Sequence, residues 1–152
     1  MKSEIISIRL ALKKDMLTVY EQICDLENKT LNMNNFKKIF NANISSENKI
    51  YLVAQNKNEN IIGFISCHVQ NLLHHEKNVA EIQELYVHKK YRKQGVGTLL
   101  INAIIENLKT KKIESFEVTA QNKRKKTHDF YLSKGFKQSH LKFTRNMDTF
   151  FE

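Results

Sequence analysis

The chain has no proline in its 152 residues. It also has no low-complexity stretch and no internal repeat, so nothing marks a linker. The sequence therefore predicts one domain over residues 1–152, long enough for a single hydrophobic core. No apolar run approaches the ~20 residues that cross a bilayer. The opening residues MKSEIISIRL lack an apolar core and a cleavage site, which predicts neither a membrane span nor export. Cysteine is limited to Cys24 and Cys67. Their spacing matches no metal motif and predicts free thiols in a reducing cytoplasm, not a disulfide. Glycine is also scarce, with four residues in all, and two of them, Gly95 and Gly97, share one loop.

Charge is what the chain has in excess, at a net +9. The positive residues crowd at 89–93 and 123–126. Such a balance permits nucleic-acid or membrane-surface contact, suits a polyanionic cofactor, and also fits a solvated lysine-rich face. A non-enzymatic module that binds nucleic acid would want aromatics interleaved with the charge, and only Tyr91 offers that.

Apolar periodicity supplies the elements in order. Ile6, Ile8 and Leu10 alternate as an opening strand. Asp15 is placed to cap a helix whose buried stripe is Met16, Val19, Tyr20, Ile23 and Leu26. A second helix near 35–43 carries Phe36, Ile39, Phe40 and Ile44. Residues 50–55 and 61–70 read as a hairpin, with Gly63 marking a bulge or a close backbone approach. Residues 71–78 form a loop carrying His74 and His75, and 79–87 is a central strand. Phe116, Val118 and Ala120 alternate in a fifth strand. A short helix follows at 127–134, with Gly135 as its left-handed stop. Residues 136–140 and 141–147 read as a final pair of strands, and 150–152 as a loose tail. The pattern is α/β with a mixed sheet.

The centre of this order is the run Arg92-Lys93-Gln94-Gly95-Val96-Gly97, after the central strand. Val96, Leu99, Leu100, Ala103, Ile104 and Leu108 then mark a helix with one buried face. A glycine loop opening a helix offers free N–H groups and the positive end of the dipole, and a phosphate can approach that backbone closely. A Walker loop would need Gly-Lys-Ser/Thr, but Gly97 is followed by Thr98 and Leu99. A dinucleotide fingerprint would need a third glycine where Leu100 stands.

The remaining pattern, R-x-x-G-x-G after a strand, resembles the coenzyme A loop of the GNAT acetyltransferases. Phe130-Tyr131 with Gly135-Phe136 resembles their C-terminal signature. The resemblance implies a twisted, mostly antiparallel mixed sheet of six to seven strands with about four helices, splayed between strands 4 and 5. It implies acetyl-CoA as cosubstrate, held by Leu85, Tyr86 and Val87, by Arg92, Lys93, Gln94, Gly95, Val96, Gly97 and Thr98, and by Asn122, Arg124 and Thr127. Many members carry Asn where Arg124 stands, and Asn122 is the substitute two residues earlier.

A wider resemblance covers residues 8–145. Its stretches are Ile23-Cys24-Asp25-Leu26, Phe40-Asn41-Ala42-Asn43, His68-Val69-Gln70, Leu73-His74-His75, Glu81-Ile82-Gln83-Glu84-Leu85, Gln138-Ser139-His140 and Lys142-Phe143-Thr144. They are similar to the aminoalkylphosphonate N-acetyltransferases of bacterial phosphonate-utilisation operons, which acetylate small aminoalkylphosphonic acids. Other amine acceptors, such as an aminoglycoside, a polyamine or a protein lysine, are the alternative. The expected partner is a small-molecule amine, and a homodimer is compatible with the pattern.

The chemistry follows from the reaction. An alkylammonium with a pKa near ~10 must lose a proton before it attacks a thioester. Glu81 matches the catalytic glutamate of several GNAT enzymes, with Glu84 as its rival. Regular alternation would put these two carboxylates on opposite faces. A backbone N–H near Val87 is the expected donor to the acetyl oxygen as it becomes negative. Tyr131 matches the family's general acid. On the substrate side His68, His74, His75 and His140 are the candidates to meet a phosphonate, or His74 and His75 could help hold a divalent metal that carries it.

Overall fold

The computed structural model describes residues 3–148. The elements run β1 (Ser7–Leu10), α1 (Met16–Glu27), α2 (Met33–Ile44), β2 (Lys49–Gln55), β3 (Ile61–Asn71), β4 (Asn78–Val87), α3 (Val96–Leu108), β5 (Ile113–Val118) and α4 (Lys125–Ser133). The strands lie in the order β1-β2-β3-β4-β5. The first three pairings are antiparallel and β4–β5 is parallel. This is the expected mixed sheet, with five strands among the described residues where six to seven were expected. The residues form two compact units, one ending at Val118 and the other beginning at Thr119.

The missing strands are the final pair. Residues 136–140 and 141–147 are irregular. Alternation makes a strand only where one face is buried and a neighbour completes the ladder. Leu141 and Phe143 are 77% and 89% exposed, so their alternation buries nothing. The tail expected at 150–152 lies outside the described residues.

In the first unit the helices cover both faces of the sheet. Val19 and Ile23 of α1 and Phe40 of α2 pack with Tyr51, Val53 and Phe64. Each such buried side chain contributes roughly 1.5–3 kcal/mol. On the opposite face, a Cβ at Gly63 would lie 3.2 Å from Leu100 and 3.4 Å from Val96 of α3, and 3.0 Å from the Tyr86 carbonyl. Gly63 therefore marks a close approach of helix to strand. The buried residues of α3 are Val96, Leu100, Ile101, Ile104 and Leu108. Leu99, expected in that stripe, is exposed, and Ile101 is buried instead.

Asp15 departs from expectation. It precedes α1 but makes no side-chain cap bond to it. Its carboxylate accepts from the Leu12 N–H at 2.7 Å and from the Arg9 guanidinium at 2.7 and 2.9 Å. Burial opposes its ionisation, yet these donors prevail and hold the carboxyl below its ordinary value. Asp15 therefore ties the end of β1 to the turn before α1. The true side-chain cap is on α2, where Asn32 accepts from the Asn35 N–H at 2.9 Å.

Two irregularities shape β4. Its pairing with β5 runs from Asn78↔Ile113 to Ile82↔Val118 and stops there. Residues 83–87 thus face an open edge, the expected splay between strands 4 and 5. On the other side, Ser66 pairs with Glu84 and Cys67 with Ile82, so Gln83 is bulged out of the ladder.

Candidate active site

The loop after β4 is tight and basic. Residues Lys89–Tyr91 form a single 3-10 turn. Lys93 and Gly95 both adopt left-handed backbone, at φ 61° and 83°. The Arg92 side chain folds back, its Nε donating to the Val87 carbonyl at 2.8 Å, with its guanidinium 5.7 Å from the Tyr86 ring centre. Gln94 Nε2 donates to the Lys90 carbonyl at 2.9 Å. Gly95 is the N-cap of α3 and brings no side-chain cap. The first helical bond is Leu99 N–H to the Gly95 carbonyl. The N–H groups of Gly95, Val96, Gly97 and Thr98 are consequently left over at the positive end of the helix. No Cβ crowds Gly95, since nothing lies within 4 Å of where one would sit.

The strand leading into this loop presents its N–H groups in alternation. The His88 N–H donates to Ile62 on the β3 side at 2.8 Å. Alternation then turns the Val87 N–H to the splayed side, as the sequence predicts for the oxygen-stabilising donor.

The bulge at Gln83 overturns the expectation that Glu81 and Glu84 lie on opposite faces. Glu81 stands opposite His68, and Glu84 opposite Ser66, two residues apart on β3 and so on the same face. The extra residue in β4 shifts the alternation by one and brings both carboxylates to the face covered by α1 and α2. Ser66 is fully buried. Its Oγ accepts from the Glu84 N–H at 3.1 Å and donates to the Glu84 carboxylate. Burial raises the Glu84 carboxyl above its ordinary value; the Ser66 hydroxyl opposes the rise and Glu27 adds to it. Glu81 is half-buried and receives a bond from Gln83 Nε2 at 3.3 Å.

The register shows residues that periodicity alone did not single out. Lys49 of β2 stands opposite His68, which stands opposite Glu81. The next rung is Tyr51, Ser66 and Glu84. The Lys49 ammonium donates to Asn43 Oδ1 at 2.9 Å, and Asn43 Nδ2 donates to the Tyr51 hydroxyl at 2.7 Å. The His68 ring stacks on Tyr51 at 6.2 Å and 10°. Its Nε2 is buried with no hydrogen-bond partner among the described residues. Burial, and then the nearby Lys49 charge, lower the His68 pKa and favour neutral imidazole. A strand register counted back from His68 was the one signal that could have found Lys49.

His74 and His75 are in the loop between β3 and β4, with ring centres 4.4 Å apart. His75 Nδ1 meets Glu114 at 2.5 Å, at the start of β5. Among the described residues no three His, Cys, Asp or Glu side chains are grouped to hold a metal ion. The pair His74 and His75 therefore lacks the donor set a divalent cation needs. Neither thiol forms a disulfide, and burial pushes the Cys67 thiol up to about 12.

In the second unit, α4 carries Thr127 and Tyr131, and Arg124 occupies its N-cap position. Asn122 is exposed in the turn before it. Tyr131 packs edge-on against Phe130 and Phe136, at 5.3 and 5.6 Å. Burial pushes its hydroxyl up to about 12, partly offset by Arg124. Gly135 stops the helix at φ 89°, as expected. His140 is exposed and bonded to Ser139 Oγ at 2.6 Å.

Comparison with known proteins decides what this arrangement belongs to. Residues 16–136 match the acetyltransferase (GNAT) family. This chain belongs to that family. It is 37% identical over 138 residues to the aminoalkylphosphonate N-acetyltransferase of Salmonella typhimurium strain LT2, covering 91% of this chain and 89% of that one. Among solved structures, a protein described as a transcriptional regulator from Bacillus halodurans superposes with a TM-score of 0.85 at 23% identity, over 93% of this chain and 99% of that one. An aminoglycoside 6'-N-acetyltransferase from Acinetobacter baumannii superposes with a TM-score of 0.79 at 16% identity, over 93% and 99%. At such identities the two structures speak for the fold.

As a GNAT N-acetyltransferase, the protein uses acetyl-CoA as cosubstrate. The N-terminus of α3 fits that role, because its left-over N–H groups and the bare Gly95 backbone suit a pyrophosphate. No helix among the described residues is long and apolar enough to cross a membrane.

Proposed function

We propose that this acetyltransferase acetylates the primary amine of a small aminoalkylphosphonate, acting in the cytoplasm as a single catalytic domain over the whole chain. The observation that carries the reading is the 37% identity, over nine-tenths of both chains, to the Salmonella enzyme of that name. The site chemistry agrees with it, since the face reached from the splay carries two carboxylates for an amine and cationic and imidazole groups for an anion.

When bound, acetyl-CoA supplies a thioester open to direct attack by a neutral amine. Residues 92–98 hold its pyrophosphate on backbone N–H groups, with Lys93 and Arg92 adding charge. Leu85, Tyr86 and Val87 line the splay, and Asn122, Arg124 and Thr127 are the candidate contacts before and within α4. Glu81 takes the proton from the substrate ammonium. Glu84, seated on Ser66, is the second carboxylate on that face. The Val87 N–H donates to the oxygen that gains charge, a contribution of about 3 kcal/mol for one such donor. Tyr131, kept protonated by its burial, returns a proton to the departing sulfur. His68 meets the phosphonate, and His74, His75 and His140 are the further candidates to meet it.

The test is acetyl transfer across a panel of amines at saturating acetyl-CoA, with free thiol release as readout. The reading expects aminoalkylphosphonates to lead the panel. A polyamine or a lysine peptide in first place would leave an acetyltransferase with another substrate.

A further inference from the structure

We infer that Lys49, together with the unpartnered Nε2 of His68, is the anion-holding end of the acceptor site, and that the rung Lys49–His68–Glu81 sets the direction in which a substrate lies. The inference rests on the aminoalkylphosphonate reading above and deepens it.

Four observations carry it. The first is register: Lys49, His68 and Glu81 are directly opposite one another across β2, β3 and β4. Neighbouring strands are about 4.8 Å apart, so the three side chains form a row about 10 Å long from cation to carboxylate. The carboxylate end is on β4, the strand that borders the splay where the thioester is expected. The second is charge. Among the described residues Lys49 forms no ion pair, and its ammonium meets only the neutral amide oxygen of Asn43, at 2.9 Å. The third is rigidity. Asn43 and Tyr51 are each 8% exposed and bonded to one another, so the Lys49 head is held from below by buried groups. The fourth is the vacant hydrogen-bonding capacity of His68 Nε2, buried beside that cation.

A neutral imidazole in the Nε2–H tautomer donates one hydrogen bond, and an ammonium supplies charge with donors to spare. An oxyanion placed between them would receive both. A zwitterion with an amine a few bonds from a phosphonate fits this row one way round only: anion toward β2 and β3, amine toward Glu81. Beyond Glu81 on the same face of β4 stands Glu84, with the Glu27 charge acting on it, so reversing the substrate would set phosphonate against carboxylate.

The experiment measures kcat/KM for 2-aminoethylphosphonate, 3-aminopropionate and propylamine in the wild type, Lys49→Met and Lys49→Arg. It also follows titration of the isolated protein with methylphosphonate, read by the His68 imidazole NMR signals. Lys49→Met should lower kcat/KM for the phosphonate by about 10- to 100-fold, the range expected for a charge-assisted bond, mainly through KM. Propylamine should change less than about threefold, on the scale of a surface-charge effect. Lys49→Arg should restore most of the loss, which guards against a folding defect. Methylphosphonate should shift the His68 signals in the wild type and not in Lys49→Met. A phosphonate preference that survives Lys49→Met, with unchanged His68 titration, would overturn the inference while leaving the substrate reading intact. A wild type that favours propylamine but still binds methylphosphonate through Lys49 would sustain the subsite and overturn the substrate reading.

Discussion

Glu81 and Glu84 share one face of β4 because Gln83, between them, is bulged out of the ladder with β3. Two carboxylates three residues apart are thereby brought to one side of the strand that borders the splay. They differ in setting: Glu84 is bound to buried Ser66, and Glu81 stands opposite His68. If Glu81 is the base, Glu81→Gln should lower kcat by about 100-fold or more, within the usual range for a general base, with acetyl-CoA affinity kept. Glu84→Gln should cost less, because its amide still accepts from Ser66. Steady-state rates for both variants decide it, and the reverse ranking would move the role to Glu84.

Glu84 also gives a stability test with a defined sign. Its carboxyl is raised in the folded protein, by burial first. The unfolded chain therefore gives up this proton at lower pH than the folded one. Ionisation costs folding energy in full above the folded pKa, and the cost vanishes below the unfolded value. Glu84→Gln should therefore be more stable than the wild type at about pH 8, with the gap closing toward about pH 4. Urea denaturation at several pH values reads the gap, and a constant difference would contradict the burial argument.

Gly95 holds φ 83° at the N-cap of α3. An L-residue there costs about 1–2 kcal/mol, with no steric clash to add, since nothing lies within 4 Å of its Cβ. Gly95→Ala should lower the melting temperature by a few degrees, about what such a loss produces in a domain of this size. Acetyl-CoA binding should fall further than that, because the methyl group stands on the backbone that meets the pyrophosphate. Calorimetry with acetyl-CoA would contradict this cradle if the variant bound normally.

Tyr131→Phe removes one oxygen and keeps the packing against Phe130 and Phe136. We expect kcat to fall by about 10- to 1,000-fold while acetyl-CoA binding holds, the signature of an interaction made only as the thiolate leaves. Single-turnover kinetics, where release is not limiting, are the proper readout. An unchanged rate would remove Tyr131 from the mechanism.

The parts of this fold that sequence made legible are those fixed by local rules. The Arg92 to Gly97 run reads as a glycine loop opening a helix, and Gly95 is the N-cap of α3. The hairpin of β2 and β3, the α3 helix and the stop at Gly135 follow equally from periodicity and turn chemistry. What was not legible depends on pairing. A bulge at Gln83 is a property of two strands together, so alternation along β4 alone put Glu81 and Glu84 on opposite faces. Lys49 acquires meaning only through its register with His68 and its bond to Asn43. Asp15 looked like a helix cap until Arg9, on β1, claimed its carboxylate. Residues 136–147 alternate as a strand does, but Leu141 and Phe143 find no face to bury.

The central claim is that the anion of the acceptor governs its selection. The most direct measurement is kcat/KM for 2-aminoethylphosphonate beside propylamine, at saturating acetyl-CoA. Two hydrogen bonds to a charged group, each about 1.5–3 kcal/mol, favour the phosphonate by on the order of a hundredfold or more. A ratio of that size is the result this account predicts; a ratio near one, or one that favours propylamine, would contradict it.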